Sequence, residues 1–169
     1  TVLADDPSLR IKSRSLRRTR TDQGLTENPL RIVVDSHART PPQAQIIGTD
    51  CLIVVSKAAP QKRLDQISEK CEIVVAGQNR VNLPELLQIL YRKGVKKLMV
   101  EGGATLNYSL IEAGLVDEIS VYIGPMIIGG EYAPTLVDGA GFRDNYPRLE
   151  LLSIERLDKG VLLKWRVLS

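Results

Sequence analysis

Apolar residues along this 169-residue chain fall into short runs parted by glycine, proline and polar clusters, and these runs alternate with stretches of helical spacing. Strands are expected at residues 30–34, 51–56, 72–76 and 116–123, where apolar residues run together without a 3.6-residue period. Helices are expected at 58–70, which carries Pro60, and at 83–93. The second has the stronger signals: Asn82 to cap it, Pro84 in its first turn, Glu85 three residues after the cap as in a capping box, and Gly94 to stop it. Leu83, Leu86, Leu87, Leu90 and Tyr91 then recur on one face. Residues 98–100 (Leu98, Met99, Val100) read as a buried strand. It ends in Glu101, passes through Gly102 and Gly103, and enters a helix over 106–113 that stops at Gly114. Residues 124–130 read as a loop, and residues 149–156 and 161–167 flank Leu157-Asp158-Lys159-Gly160 as a hairpin.

This order predicts an α/β fold: a mixed sheet, mostly parallel in the middle, with a C-terminal antiparallel hairpin and helices on both faces. The length fits one domain, residues 1–169. In such sheets ligands sit outside the carboxyl ends of the parallel strands. The loops after Val34, Val75 and Val100 would bring Asp35, Ser36, Ala76, Glu101, Gly102 and Gly103 towards one cleft. The Gly102-Gly103 turn adds an anion site, because a helix N-terminus carries unpaired N–H groups and glycine lets a phosphate approach them.

Composition narrows the chemistry. The net charge is only +3, although residues 10–20 alone hold Arg10, Lys12, Arg14, Arg17, Arg18 and Arg20. No aromatic residue interleaves with that run to stack a base, so it reads as a solvated loop and no nucleic-acid partner is expected. Before it, Asp6-Pro7 marks a turn in which Asp5 and Asp6 offer acceptors to backbone N–H groups or a sugar hydroxyl. Cys51 and Cys71 read as buried thiols of a reducing cytoplasm, without the spacing of a zinc site. His37 is the one histidine, so neither a Ser-His-Asp hydrolase nor a metal centre is supported. No apolar run approaches the roughly 20 residues of a membrane span. A cleft of glycine N–H donors, carboxylates and nearby cations suits a phosphorylated small molecule or a nucleotide cofactor, and hydride transfer fits it because the cofactor carries the reactive group.

Four stretches in this order carry a resemblance: Thr1-Val2-Leu3-Ala4-Asp5-Asp6-Pro7-Ser8-Leu9, Arg31-Ile32-Val33-Val34-Asp35-Ser36, Val100-Glu101-Gly102-Gly103-Ala104-Thr105-Leu106-Asn107 and Gly114-Leu115-Val116-Asp117-Glu118. Together they resemble the riboflavin-biosynthesis pyrimidine reductase family. Residues 117–123 and 133–142 look closer to its archaeal stand-alone form, which acts on the diamino-pyrimidinone before deamination. The resemblance implies a dihydrofolate-reductase-like fold, a cytoplasmic homodimer, and reduction of the ribosyl group of a ribosylaminopyrimidine 5′-phosphate to ribityl with NADPH or NADH. The open-chain imine would accept hydride at the sugar's first carbon. Thr1, Asp5, Ser36 and the turn of Gly103, Ala104 and Thr105 would contact the cofactor, with Asp35, Ala76 and Gly102 lining the same cleft. Glu101 would face the substrate's ribose and is the one candidate catalytic residue. Leu9 would wall the pyrimidine phosphate, and Lys12 stands where bacterial relatives have a phosphate-binding arginine, which keeps the charge but not a bidentate grip.

The resemblance also implies a strand, a substrate loop and a helix before the motif that begins at Thr1, so the chain reads as a fragment, expected to be unstable or inactive in isolation. Two other readings stay open: the reductase half of a bifunctional deaminase-reductase, with a zinc deaminase before Thr1, and a nucleotide-binding module or a nucleic-acid binder using residues 10–20. Steep salt dependence would mark the last.

Overall fold

The computed structural model describes residues 2–131 and 133–168. The chain divides into two compact units, Thr1–Lys97 and Leu98–Ser169, described in turn.

The first unit is built on a parallel sheet in the order β1 (Arg31–Val34), β2 (Cys51–Val55), β3 (Glu72–Val75). All five residues of β2 are buried, which is why its sequence is an uninterrupted apolar run. Its side chains alternate between two cores. Cys51, Ile53 and Val55 join Val33, Ile46 and Ile67 on one face, while Leu52 and Val54 join Ala76, Leu86 and Leu90 on the other. Helix α3 (Gln61–Ser68) supplies Ile67 to the first core and α4 (Leu83–Arg92) supplies Leu86 and Leu90 to the second, so helices cover both faces as expected. Burying a leucine of this kind contributes about 1.5–3 kcal/mol.

In α4 the expected cap is present: Asn82 Oδ1 accepts the Glu85 N–H at 2.9 Å. Glu85, however, does not reach back to Asn82; its carboxylate accepts the Gly77 N–H at 2.9 Å and so ties the helix to the end of β3. Tyr91 corrects the expected buried face. It is 67% exposed, because it follows Leu90 by 100° of helical rotation, and Lys96 Nζ sits 4.7 Å above its ring.

The basic run is a second correction. After a short helix α1 (Val2–Asp5), residues expected as a loop form helix α2 (Arg14–Asp22), whose N-cap Ser13 accepts the Leu16 N–H at 3.4 Å. Arginine and leucine are strong helix formers and no glycine or proline interrupts them, so propensity wins although no residue of α2 is buried.

The second unit opens with a third correction. Residues 98–100 form no strand: Leu98, Met99 and Val100 are 39%, 77% and 39% exposed. A strand is stabilised by its ladder, and among the described residues no strand pairs with this segment. Helix α5 (Ala104–Glu112) follows, then an antiparallel sheet in the order β4 (Glu118–Ile123), β6 (Gly160–Leu168), β5 (Arg148–Leu157). The register places Ile119, Trp165 and Leu151 on one face with Val121, Leu163 and Ile154. The other face carries ion pairs, Arg166–Glu150 at 2.8 Å and Lys164–Glu155 at 2.9 Å. The expected hairpin joins β5 to β6, with Asp158 at a left-handed φ of 52° that aspartate tolerates.

Candidate active site

The carboxyl edge of the parallel sheet gathers three of the residues expected there. Chain leaving β1 passes Asp35 and Ser36, chain leaving β2 passes Ser56, and chain leaving β3 passes Ala76 and Gly77. Ser56 links the three exits: its hydroxyl donates to the Ser36 carbonyl at 2.8 Å, lies 3.2 Å from the Asn79 carbonyl, and accepts the Ala58 N–H at 3.3 Å. Ser36 Oγ in turn accepts the Val81 N–H at 3.0 Å. The serine rim is therefore held rigid by bonds between segments 20 to 45 residues apart in sequence.

Two of the expected residues shape this rim from behind. The Asp35 carboxylate is 6% exposed, and its Oδ2 accepts both the Thr40 N–H at 2.7 Å and the Thr40 hydroxyl at 2.8 Å, closing the loop of residues 35–40. Arg39 Nε approaches its other oxygen only to 3.7 Å. Ala76 is fully buried, with its N–H paired to Val55 and its carbonyl to Asn82. His37 is exposed on the same loop.

Gly77 and Ser56 are additions to the residues expected from sequence, although a glycine directly after a β3-type run and a serine directly after a β2-type run are the available signals. Gly77 has φ 86°, and a Cβ there would lie 2.2 Å from the Arg80 carbonyl and 2.7 Å from the Asn82 nitrogen. Only glycine fits that turn.

Neither thiol belongs to the chemistry. Burial pushes Cys51 up to about 12, with Cys71 beside it adding to the effect, and burial pushes Cys71 up as well. Both are held as protonated thiols, as expected for core residues.

In the second unit, Glu101 is exposed at the end of the extended segment, followed by Gly102 at φ 104° and by Gly103, the N-cap of α5. No side chain caps this helix, so the first N–H groups of Ala104 and Thr105 have no side-chain acceptor. A Cβ on Gly102 would meet nothing closer than Asn107 Nδ2 at 3.8 Å, which leaves the approach to those donors open. Such a glycine-led helix start is open to an anionic group. The turn is braced from behind: Asn107 Nδ2 donates to the Leu136 carbonyl at 2.9 Å, and the Asp138 N–H donates to the Ala104 carbonyl at 3.2 Å. Tyr108 stacks against Phe142 at 5.1 Å between centroids.

Of the remaining expected residues, Asp5 is exposed at the end of α1, Leu9 packs against the first core, and Lys12 is exposed between α1 and α2. Thr1 lies outside the described residues.

A parallel sheet with helices on both faces in one unit, and an antiparallel sheet with its hairpin in the other, are the elements of a dihydrofolate-reductase-like α/β fold. Among solved structures, a pyrimidine reductase-like protein from Corynebacterium diphtheriae superimposes with a TM-score of 0.78 at 17% identity, covering 100% of this chain and 73% of that one. The family model described as the RibD C-terminal domain matches residues 1–163, and the chain belongs to that family. It is 46% identical over 162 residues to the 2,5-diamino-6-ribosylamino-4(3H)-pyrimidinone 5′-phosphate reductase of Archaeoglobus fulgidus, covering 95% of this chain and 73% of that protein. The protein of the same name from Methanothermobacter thermautotrophicus is 44% identical over 171 residues, covering 99% of this chain and 76% of that protein.

Proposed function

We propose that this protein is a riboflavin-biosynthesis oxidoreductase that converts the ribosyl group of 2,5-diamino-6-ribosylamino-4(3H)-pyrimidinone 5′-phosphate to ribityl, using NADPH. The observation that carries this reading is the 46% identity, over 95% of this chain, to a reductase of that name. The glycine-led start of α5 supports it, since its N–H groups and the absence of side chains at Gly102 and Gly103 suit a nucleotide diphosphate.

When bound, the nicotinamide nucleotide supplies a hydride for the sugar's first carbon. Thr1, Asp5, Ser36, Gly103, Ala104 and Thr105 hold that cofactor in this reading, while Asp35, Ala76 and Gly102 keep the surrounding backbone in shape. Glu101 accepts hydrogen bonds from the ribose hydroxyls and stabilises the open-chain sugar that is competent for reduction. Leu9 walls the pyrimidine side and Lys12 neutralises the 5′-phosphate as a point charge. Holding the reacting carbon at near-attack distance supplies most of the acceleration that such a site needs. The working form is a homodimer in the cytoplasm.

The second reading, reductase half of a bifunctional deaminase-reductase, is favoured by the matching family model being that of a C-terminal domain. It requires the deaminated pyrimidine as substrate. Both readings are tested by following loss of reduced-nicotinamide absorbance when the full-length protein meets each of the two ribosylaminopyrimidine phosphates, with NADPH and with NADH. Preference for the diamino compound with NADPH is expected, and Glu101→Gln should lower turnover strongly. No turnover with either pyrimidine, from folded protein that still binds NADPH, overturns the enzyme reading.

A further inference from the structure

The turn between α1 and α2 is strained and held from outside. Asp6 and Leu9 both adopt left-handed backbone angles, φ 40° and 49°. Aspartate tolerates that region, but a leucine there is strained and persists only where its surroundings impose it. The surroundings here are specific. Gln45 donates its backbone N–H to Asp6 Oδ1 at 2.8 Å and its side-chain amide to the Asp6 carbonyl at 3.0 Å. Arg31 donates from one terminal nitrogen to the Ile46 carbonyl at 2.7 Å and reaches the Ser8 carbonyl at 3.5 Å.

Arg31 is an expensive way to make those contacts. It is 2% exposed, among the described residues its Nε and second terminal nitrogen have no hydrogen-bond partner, and the carboxylate of Asp50 stands 3.9 Å away. A buried guanidinium left half satisfied costs stability. Its position is explained by what it holds: the first residue of β1 is joined to two loops at once. Beyond Leu9 the chain is tied again, by the Ile11 N–H donating to Asn28 Oδ1 at 2.9 Å and by Ser13 capping α2. Lys12 is thereby fixed between two anchored neighbours.

We propose that Asp6, Gln45 and Arg31 form a clamp that pre-sets the strained turn, and with it Leu9 and Lys12, for a phosphorylated sugar substrate. All three are positioning residues: they act on the substrate through the turn and touch it nowhere. The inference rests on the reading that Leu9 and Lys12 meet the substrate, and its consequence is affinity, with no contribution to the hydride step. A turn that already has its bound shape spares the substrate the cost of ordering it.

The test compares Asp6→Ala, Asp6→Asn and Gln45→Ala in the full-length protein. Asp6→Ala loses the bond from the Gln45 N–H at 2.8 Å and the longer approach of the Gln45 amide to Oδ2 at 3.4 Å, and should raise KM for the pyrimidine phosphate about tenfold. Gln45→Ala keeps the N–H bond and should raise it about threefold, with kcat and KM for NADPH within about twofold of the parent in both. Asp6→Asn should restore most of that loss, because asparagine keeps an acceptor and tolerates a left-handed φ. An unchanged substrate KM, or a joint shift of kcat and both KM values, overturns the clamp. Should Asp6→Ala fail to melt cooperatively, Gln45→Ala decides by the same criteria, since it removes only the side-chain amide. Calorimetric titration with ribose 5-phosphate separates the two layers without turnover. Weaker binding by Gln45→Ala supports the clamp even if the parent reduces neither pyrimidine, while parent-like binding overturns the clamp and leaves the reductase reading standing. A parent that neither turns over nor binds ribose 5-phosphate overturns both.

Discussion

Gly77→Ala probes the rim of the candidate site directly. Two costs add. A non-glycine residue at φ 86° pays for a left-handed backbone, roughly 1–2 kcal/mol. The new methyl also meets the Arg80 carbonyl at 2.2 Å and the Asn82 nitrogen at 2.7 Å. Both atoms are backbone, so the turn itself must move, at a further ~1–3 kcal/mol by analogy with overpacked cores. The sum, roughly 2–5 kcal/mol, is a large share of the ~5–15 kcal/mol that holds a domain folded. Gly24→Ala separates the terms, because Gly24 has φ 73° but nothing within 4 Å of its Cβ position, and so bears only the backbone cost. Urea unfolding followed by circular dichroism measures both variants, with the linear slope checked for constancy. Gly77→Ala should lose at least ~1 kcal/mol more than Gly24→Ala. Equal losses would show that the turn yields without cost, and the rigidity argued for the Ser36–Ser56–Gly77 rim would fall with it.

Leu90→Ala removes a 2% exposed side chain from the core between α4 and the sheet, and should cost about 2–5 kcal/mol in the same urea titration. A loss under ~1 kcal/mol would mean that the core collapses into the space. The thiols make a pH prediction. Cys51 is raised from 9.0 to about 12, so the native state keeps its proton where the unfolded chain releases it. Stability from this group is complete below about pH 9 and is lost as pH climbs from there towards 12. Cys51→Ala should therefore flatten the fall in urea midpoint above about pH 9 relative to the parent, a difference in which the shared lysine and tyrosine titrations cancel. Identical slopes would refute it. Iodoacetamide should leave both thiols unmodified until urea unfolds the chain.

Elements whose cause is local are legible in the sequence. β2 is an unbroken apolar run because both its faces are buried, and α4 carries its own cap, its own proline and its own leucine stripe. The turn of Gly102 and Gly103 into α5 is legible for the same reason, since glycine marks the required backbone whatever lies around it. α2 departs from expectation because six cations in eleven residues suggest solvation, which is correct, while the step from solvation to loop does not follow when the residues are good helix formers. Residues 98–100 depart for a different reason. Apolar β-branched or long side chains state a preference, but a strand exists only through its neighbour, and the neighbour is not a local property.

The same distinction separates the candidate-site residues read from sequence from those that only the fold brings in. Ser36 follows from the strand-to-loop transition after β1, and Gly103 from the paired glycines that open α5, while the strand expected before Glu101 is not formed. Ser56, Gly77 and Gln45 act through partners 8 to 39 residues away, by Ser56 Oγ on the Ser36 carbonyl, the Gly77 N–H on Glu85 and the Gln45 N–H on Asp6. No spacing announces such bonds. They nonetheless decide what the legible residues can do, because a loop carrying Ser36 or Lys12 has many conformations as a peptide and one when laced to a neighbouring segment. Lacing is what turns a motif into a site, and it implies where variation between relatives with one chemistry should be tolerated: at Gln45, whose backbone N–H holds Asp6 Oδ1 whatever its side chain, before Asp6, which has no backbone substitute for its carboxylate.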